Sequence, residues 1–531
     1  MKTLYYNGNI YTGEAFTEAF IVEDGRFVKT GNSEDLLKDT YDEKTDLGKR
    51  FVCASFNDSH MHLLGLGYSL NVARLDLHTS SLEDMCKYLK DFIAERDIKE
   101  GQWIRGRGWN QDYFTDVKRM PSRKDLDLIS KDIPMYLGRT CGHCALLNSK
   151  AMELCHVDEN TVSPDGGAID YENGLFFDNA IDMVSRYVPA PDKEEIKDMI
   201  RSACKCLNSY GITSSQTDDY SSFRQVPYEV IHEAYREMAD SGELTVRVFE
   251  QSNFTKTEEL NNFIADGNIT GKGDLMFKIG PLKLLGDGSL GSRSAALRDG
   301  YADDPDNYGL LLFSDEQMEA LVSIANKHDM PVAVHAIGDR CLDQVLNVIE
   351  KALKEHPRKD HRHGIVHCQI SRADQLQKII DLDLHVYAQS VFLDYDNHIV
   401  EARVGRDLAA TSYNWKTLLS KSVIISNGSD SPVELPNALK GIECAVTRTS
   451  LDGTGPYLPD QAFTVKEAID SFTINSATAS FEENFKGLIK EGYLADFVIL
   501  EEDPFKVDKR HIHDIKIAAT YLGGNCVYKN E

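Results

Sequence analysis

Eight short apolar runs, most of them separated by helix-like stretches, constrain this 531-residue chain more than any other feature. The runs cover residues 51–56, 212–216, 245–250, 277–285, 332–335, 364–367, 385–389 and 423–426. Helix-patterned segments fall between them at 228–241, 315–329, 339–356 and 372–381. Strands alternating with helices make a parallel α/β sheet, and eight such units predict a closed (β/α)8, TIM-like barrel. The first gap, about residues 57–211, is far too long for one helix. A long insertion with its own structure is therefore expected after the first strand.

The two ends have another texture. Short strand-like pieces at 3–6, 10–12 and 19–22 lie beside Asn7-Gly8 and Asp24-Gly25 turns. Pieces at 495–500 and 517–522 lie beside Asp503-Pro504 and Gly523-Gly524. The similar texture suggests one small β domain shared by both ends.

Charge and composition narrow the partners. The formal net charge of −27 argues against nucleic acid or an anionic membrane, both of which need a basic footprint. No apolar run reaches the roughly 18 residues of a membrane span, and residues 1–10 are too polar for a signal peptide. Eleven cysteines, an odd number, are expected as reduced thiols in a cytoplasm.

Polar residues gather at the ends of the apolar runs, where a barrel has its common mouth. Phe56-Asn57-Asp58-Ser59-His60-Met61-His62 follows the first, and Lys283 lies in the fourth. His335 ends the fifth and His367 the sixth; Asp430 follows the eighth. On a strand, His60 and His62 share a face and can bind one metal, although surface or hydrogen-bonded histidines give the same pattern. That bland reading is kept for the pairs His361/His363 and His511/His513, which lie among charged neighbours. Imidazole nitrogen and carboxylate oxygen suit zinc. Lys283 is the odd member: a structural lysine, a substrate-binding charge, or a neutral buried amine that adds carbon dioxide to become an anionic carbamate.

This layout resembles the amidohydrolase superfamily, within it amidohydrolase family 3, which includes N-substituted formamide deformylases. The likeness rests on the His60/His62 segment above, on Lys283-Leu284-Leu285-Gly286-Asp287-Gly288-Ser289-Leu290-Gly291-Ser292-Arg293, and on Val334-His335-Ala336-Ile337-Gly338-Asp339-Arg340. Ser429-Asp430-Ser431-Pro432 and Gly492-Tyr493-Leu494-Ala495-Asp496-Phe497-Val498-Ile499 extend it over nearly the whole chain. The resemblance implies a barrel at 51–485 with an insertion at about 70–205, and a β-sandwich from 1–50 and 486–531. It implies that His60, His62 and Asp430 hold one zinc, that His335 and His367 hold a second if present, and that carboxylated Lys283 bridges them. Asp430 would be the catalytic proton carrier.

Substrate contacts are expected from His143, Trp109 and Gln216, and from Asp287 and Arg293, which with Asp339 are alternatively ligand-holding or ordinary salt-bridge residues. A core tryptophan, a loop histidine and a structural hydrogen bond are the bland alternatives for the first three. Val366 stands where the family commonly has Glu. Cys141-Gly142-His143-Cys144 looks like a redox centre, but its flanks match the family instead. The implied activity is hydrolysis of a non-peptide C–N bond in a small molecule, with deamination or an inactive metal-binding or regulatory protein as alternatives. A homodimer is expected by likeness only.

Overall fold

A computed structural model describes residues 1–141, 143–223 and 225–530. Eight parallel strands form one sheet: β1 Phe56–Met61, β2 Ile212–Thr217, β3 Arg247–Asn253, β4 Phe277–Leu285, β5 Val332–Ala336, β6 Gly364–His367, β7 His385–Ala388 and β8 Ile425–Asn427. They are laddered in chain order from β1 to β8, the barrel that the alternation predicts. Two backbone bonds span the β8–β1 seam: Asp430 N–H donates to the His60 carbonyl at 2.9 Å, and His62 N–H donates to the Ser431 carbonyl at 2.8 Å. The closure thus places Asp430 beside the first histidine pair.

Helices α1 Tyr228–Ser241, α2 Thr257–Ala265, α3 Asp315–Lys327, α4 Asp339–Glu355 and α5 Ala373–Asp381 occupy the crossovers. Helix α3 starts in a Ser314/Gln317 capping box. In α4, Leu342, Val345, Leu346, Ile349 and Ala352 recur at helical spacing and are buried.

One boundary needs correcting. The run 51–56 is not a single barrel strand: Phe51–Ala54 pairs with Asn9–Tyr11 and with Phe497–Leu500 in a sheet outside the barrel. The barrel strand starts at Phe56, so His60 lies on β1 itself. That outer sheet has six strands and mixes both chain ends; a second, four-stranded sheet comes from the first 46 residues alone. Tyr5, Phe20, Phe27 and Phe497 form their common core, with Phe20 and Phe497 ring centroids 5.0 Å apart.

Leu66–Ser202 forms a separate compact unit. Its six-stranded sheet carries Trp109, Met135, Leu137 and Leu146 in a core that also buries Met85 and Leu89 of helix Leu82–Glu95. Among the described residues no helix is long and apolar enough to cross a membrane.

Candidate metal centre

His60 and His62 project from the end of β1, two residues apart and so on one face. Asp430 reaches them from the loop after β8. That loop passes so close to β1 that a Cβ on Gly428 would lie 2.6 Å from both the nitrogen and the oxygen of His60; only glycine fits. Asp58 ties the two segments together, accepting from the Ser429 hydroxyl at 2.5 Å and from its N–H at 3.0 Å.

Ligating atoms of His60, His62 and Asp430 lie within 4.8 Å of one another. Asp430 Oδ1 stands 3.3 Å from His60 Nε2 and 3.1 Å from His62 Nε2. It is buried, yet no donor is aligned on it as a hydrogen bond. The other ring nitrogen of each histidine is engaged. His60 Nδ1 faces Gln251 Oε1 at 2.8 Å, and Gln251 Nε2 donates to the Ser59 carbonyl at 3.1 Å, which fixes the amide's orientation. His62 Nδ1 lies against Asp218 Oδ1. A proton held on Nδ1 leaves the Nε2 lone pair turned toward Asp430, the usual arrangement of metal-ligating histidine. Two lone pairs and an unpaired carboxylate oxygen are a donor set that a divalent cation completes.

The electrostatics agree. Burial, then the charge of Lys283, holds the His60 imidazole below its ordinary range, hence neutral. For His62, burial disfavours the imidazolium, but the Asp218 and Asp430 carboxylates outweigh it and raise the ring well above its ordinary value. A site that stabilises a proton in this way also stabilises a metal cation. Burial pushes the Asp430 carboxyl up, but contact with His60 and His62 wins and keeps it ionised.

His367 ends β6 in the left-handed region, with φ of 75°, uncommon for a residue with a side chain. The Trp415 indole N–H donates to the carbonyls of His367 and Cys368, both at 3.2 Å, and holds that backbone. His367 Nδ1 faces Gln389 Oε1 at 2.6 Å. Its ring centroid is 5.7 Å from that of His60 and 4.4 Å from that of His335. Burial, then His335, holds His367 well below its ordinary value. His335 itself turns toward the loop after β4: its Nε2 lies 3.1 Å from the Gly288 carbonyl and 3.4 Å from Asp287 Oδ1. Lys283 on β4 is fully buried, and its Nζ donates to Asp218 Oδ2 at 3.2 Å. All six expected groups therefore stand at one end of the barrel interior, but only three meet as a tight ligand set.

The residues expected at substrate are placed otherwise. Trp109 is 0% exposed in the core of the Leu66–Ser202 unit, its N–H donating to the Leu137 carbonyl at 2.9 Å; it is a core tryptophan. Gln216 is buried with Nε2 donating to the Ser476 carbonyl at 2.8 Å, a structural bond. Asp287 accepts three backbone N–H groups, from Ala296, Ile337 and Gly338, and so fixes the loops beside His335. Arg293 is partly exposed and paired to Asp303 through two bonds of 3.1 and 2.8 Å. Asp339 accepts from Arg298 N–H at 2.9 Å and from Arg372 Nε at 2.6 Å, holding the α4 start.

His143 is exposed, with Nδ1 2.9 Å from Asp178 Oδ1. In its motif Cys141 and Cys144 are free thiols and Gly142 lies outside the described residues. Val366 is packed with Ala333, Tyr387 and Ala479, an apolar position with no place for a charge. His363 accepts from Val332 N–H and faces Asn326, while His513 pairs with Glu443; neither second pair joins the site. Sequence reading missed Asp218, Gln251 and Gln389 as site residues. Asp218 lies in the loop just after β2, Gln251 lies on β3 one residue beyond the third apolar run, and Gln389 closes the seventh run.

A family model described as amidohydrolase family matches residues 43–528. The chain is 33% identical to the putative amidohydrolase YtcJ of Bacillus subtilis, over 100% of each chain. It is 22% identical to N-substituted formamide deformylase of Arthrobacter pascens, over 98% of this chain and 97% of that one. A solved structure, an uncharacterized metal-dependent hydrolase from Pyrococcus horikoshii OT3, is similar with a TM-score of 0.77 and 28% identity, covering 96% of this chain and 99% of that chain.

Proposed function

The chain belongs to the amidohydrolase family, and from that premise we propose that it hydrolyses a carbon–nitrogen bond outside peptides. The substrate class is a small amide, an N-acyl or N-formyl amine, a urea or a cyclic amide. The observation that carries the reading is the Asp430 carboxylate oxygen shared by two imidazole Nε2 atoms at 3.1 and 3.3 Å. His60, His62 and Asp430 would hold zinc. His335 and His367 would hold a second ion, with Lys283 between the two.

A divalent ion supplies Lewis acidity and lowers the pKa of water to about 7. The chain's own groups do the rest. Gln251 and Asp218 keep the Nδ1 protons of His60 and His62 in place, so that their Nε2 atoms stay available. Asp430 takes a proton from the attacking water and returns one to the departing amine. The Lys283 ammonium, on losing two protons and adding carbon dioxide through its nitrogen, would become an anionic carbamate, a group able to hold a cation. Eleven free thiols suit a reducing, cytoplasmic compartment.

The test is metal content followed by hydrolysis of a panel of N-formyl and N-acyl amines. Turnover that depends on the metal is expected. Stoichiometric metal without turnover on a broad panel would mean a binding protein instead.

A further inference from the structure

The loops that follow β2 and β3 enclose a cleft of about 690 Å3. Both loops leave the C-terminal ends of their strands, the end that carries the metal centre, and Glu259 and Asn262 of α2 with Asp266 beyond its end complete the wall. Its floor is aromatic. Tyr220 and Phe254 are buried, and Tyr228 at the start of α1 is half-buried. The Tyr228 ring centroid is 5.3 Å from that of Tyr220 and 5.3 Å from that of Phe254.

The rim is acidic. Glu229, Glu259 and Asp266 line it, and no Lys, Arg or His does among the described residues. Lys256 neutralises Glu259 at 2.7 Å. Among the described residues no cation is paired with Glu229 or Asp266, and both act on Tyr228, whose hydroxyl is pushed up to about 12, first by burial and then by these two carboxylates.

The inner wall reaches toward the metal centre. Asn253 lines the cleft, is 8% exposed, and leaves its Nδ2 without a hydrogen-bond partner. In the parallel ladder it stands opposite Lys283. The cleft therefore begins one strand away from the lysine of the site, with an unused amide donor at that point.

Ring faces and uncompensated carboxylates around a concave space attract an organic cation. The net charge of −27 adds a long-range pull of the same sign. We infer that this cleft receives a cationic arm of the substrate: an alkylammonium group carried by the amine half of the amide. The inference rests on the amide-hydrolase reading given above. Asn253 Nδ2 would donate to an oxygen of the chain that links the arm to the scissile bond.

Calorimetry on the metal-loaded enzyme compares choline with its neutral isostere 3,3-dimethylbutan-1-ol. Choline should bind at least about tenfold more tightly, the scale of a partly desolvated cation–ring contact. The double variant Glu229→Gln/Asp266→Asn and, separately, Tyr228→Ala should each lose most of that preference while metal content stays unchanged. Hydrolysis then compares N-formyl-2-(trimethylammonio)ethylamine with N-formyl-3,3-dimethylbutylamine. A kcat/KM advantage of about tenfold for the cationic formamide, lost in the same variants, supports the assignment.

Equal binding of choline and the alcohol, or a preference that survives all these substitutions, overturns it. Equal kcat/KM for the two formamides overturns it as well. Selective choline binding with no turnover of either formamide or of the wider amide panel has a different meaning. It rejects the amide reading, and the substrate assignment with it, while leaving an ammonium site.

Discussion

His60 and His62 meet one carboxylate, whereas His335 and His367 meet chiefly each other. In the first half, both Nδ1 positions are engaged, by Gln251 and Asp218, and Asp430 Oδ1 waits between the two Nε2 atoms. In the second half, Gln389 holds His367 in the same way, but His335 spends its Nε2 on the loop carbonyl of Gly288. The carboxylate beside His335 is Asp287, 3.4 Å from its Nε2, and it is already engaged by three backbone N–H groups. The difference teaches that one ion site is assembled by the fold alone. On the proposed reading the other would need an added anion, which buried Lys283, beside Asp218, would supply as a carbamate.

The largest expected effect breaks the assembled half. Asp430→Asn keeps the hydrogen-bonding shape of the loop but removes the ionised ligand and the proton carrier. Turnover should fall by about 10²–10⁴-fold, the usual worth of a positioned acid–base group, with the circular dichroism spectrum retained. Equal kcat in the variant would take that role away from Asp430. Next comes the half that, on the proposed reading, would depend on an added anion. Lys283→Ala should lower metal content below that of wild type, and acetate or propionate should restore part of it by standing in for the carbamate. If elemental analysis gives wild-type metal content in Lys283→Ala, the bridge is refuted.

A smaller effect sharpens the comparison from outside the ligands. Gln251→Leu removes the acceptor that orients His60, and Gln389→Leu removes the one that orients His367. Outer partners of this kind are typically worth about 10–100-fold in metal affinity or activity. Gln251→Leu should weaken the more tightly held ion by about tenfold, and Gln389→Leu should leave that ion nearly unaffected. Titration with a competing chelator separates the two outcomes, and an equal loss in both variants would erase the distinction between the halves.

How far these features can be read from sequence follows the same line. Strands β4 to β7 are nearly continuous runs of buried apolar residues, so their positions stand out, as do His335 next to the end of β5 and His367 at the end of β6. Strands β1 to β3 are equally buried but rich in Asn, Asp, Ser, Thr, Glu and Gln, because their inner faces line a polar interior. Hydropathy therefore merged the outer strand Phe51–Ala54 with β1, and it ended β2 before Thr217 and β3 before Gln251. Trp109, left open between a pocket wall and a core position, lies in the core. A motif resembling the family suggested a pocket wall, but a large ring with one donor satisfied by Leu137 is what an isolated small core needs. Pairing across the β8–β1 seam joins residues about 370 apart (His60 and Asp430), which no local pattern encodes.

That seam also carries the smallest effect. Gly428→Ala would place a Cβ 2.6 Å from the His60 backbone, with Asp58 Oδ1 at 2.7 Å, so the loop bearing Asp430 must shift. Overpacking of this kind costs about 1–3 kcal/mol, read as a lower melting temperature. Gly291→Ala is the matched control, since its Cβ would meet only Tyr395 at an ordinary 3.8 Å. Because the displaced loop carries Asp430, metal affinity should fall along with stability in Gly428→Ala. A variant that melts early yet binds metal as wild type does would show that Asp430 reaches its histidines without help from the tight seam.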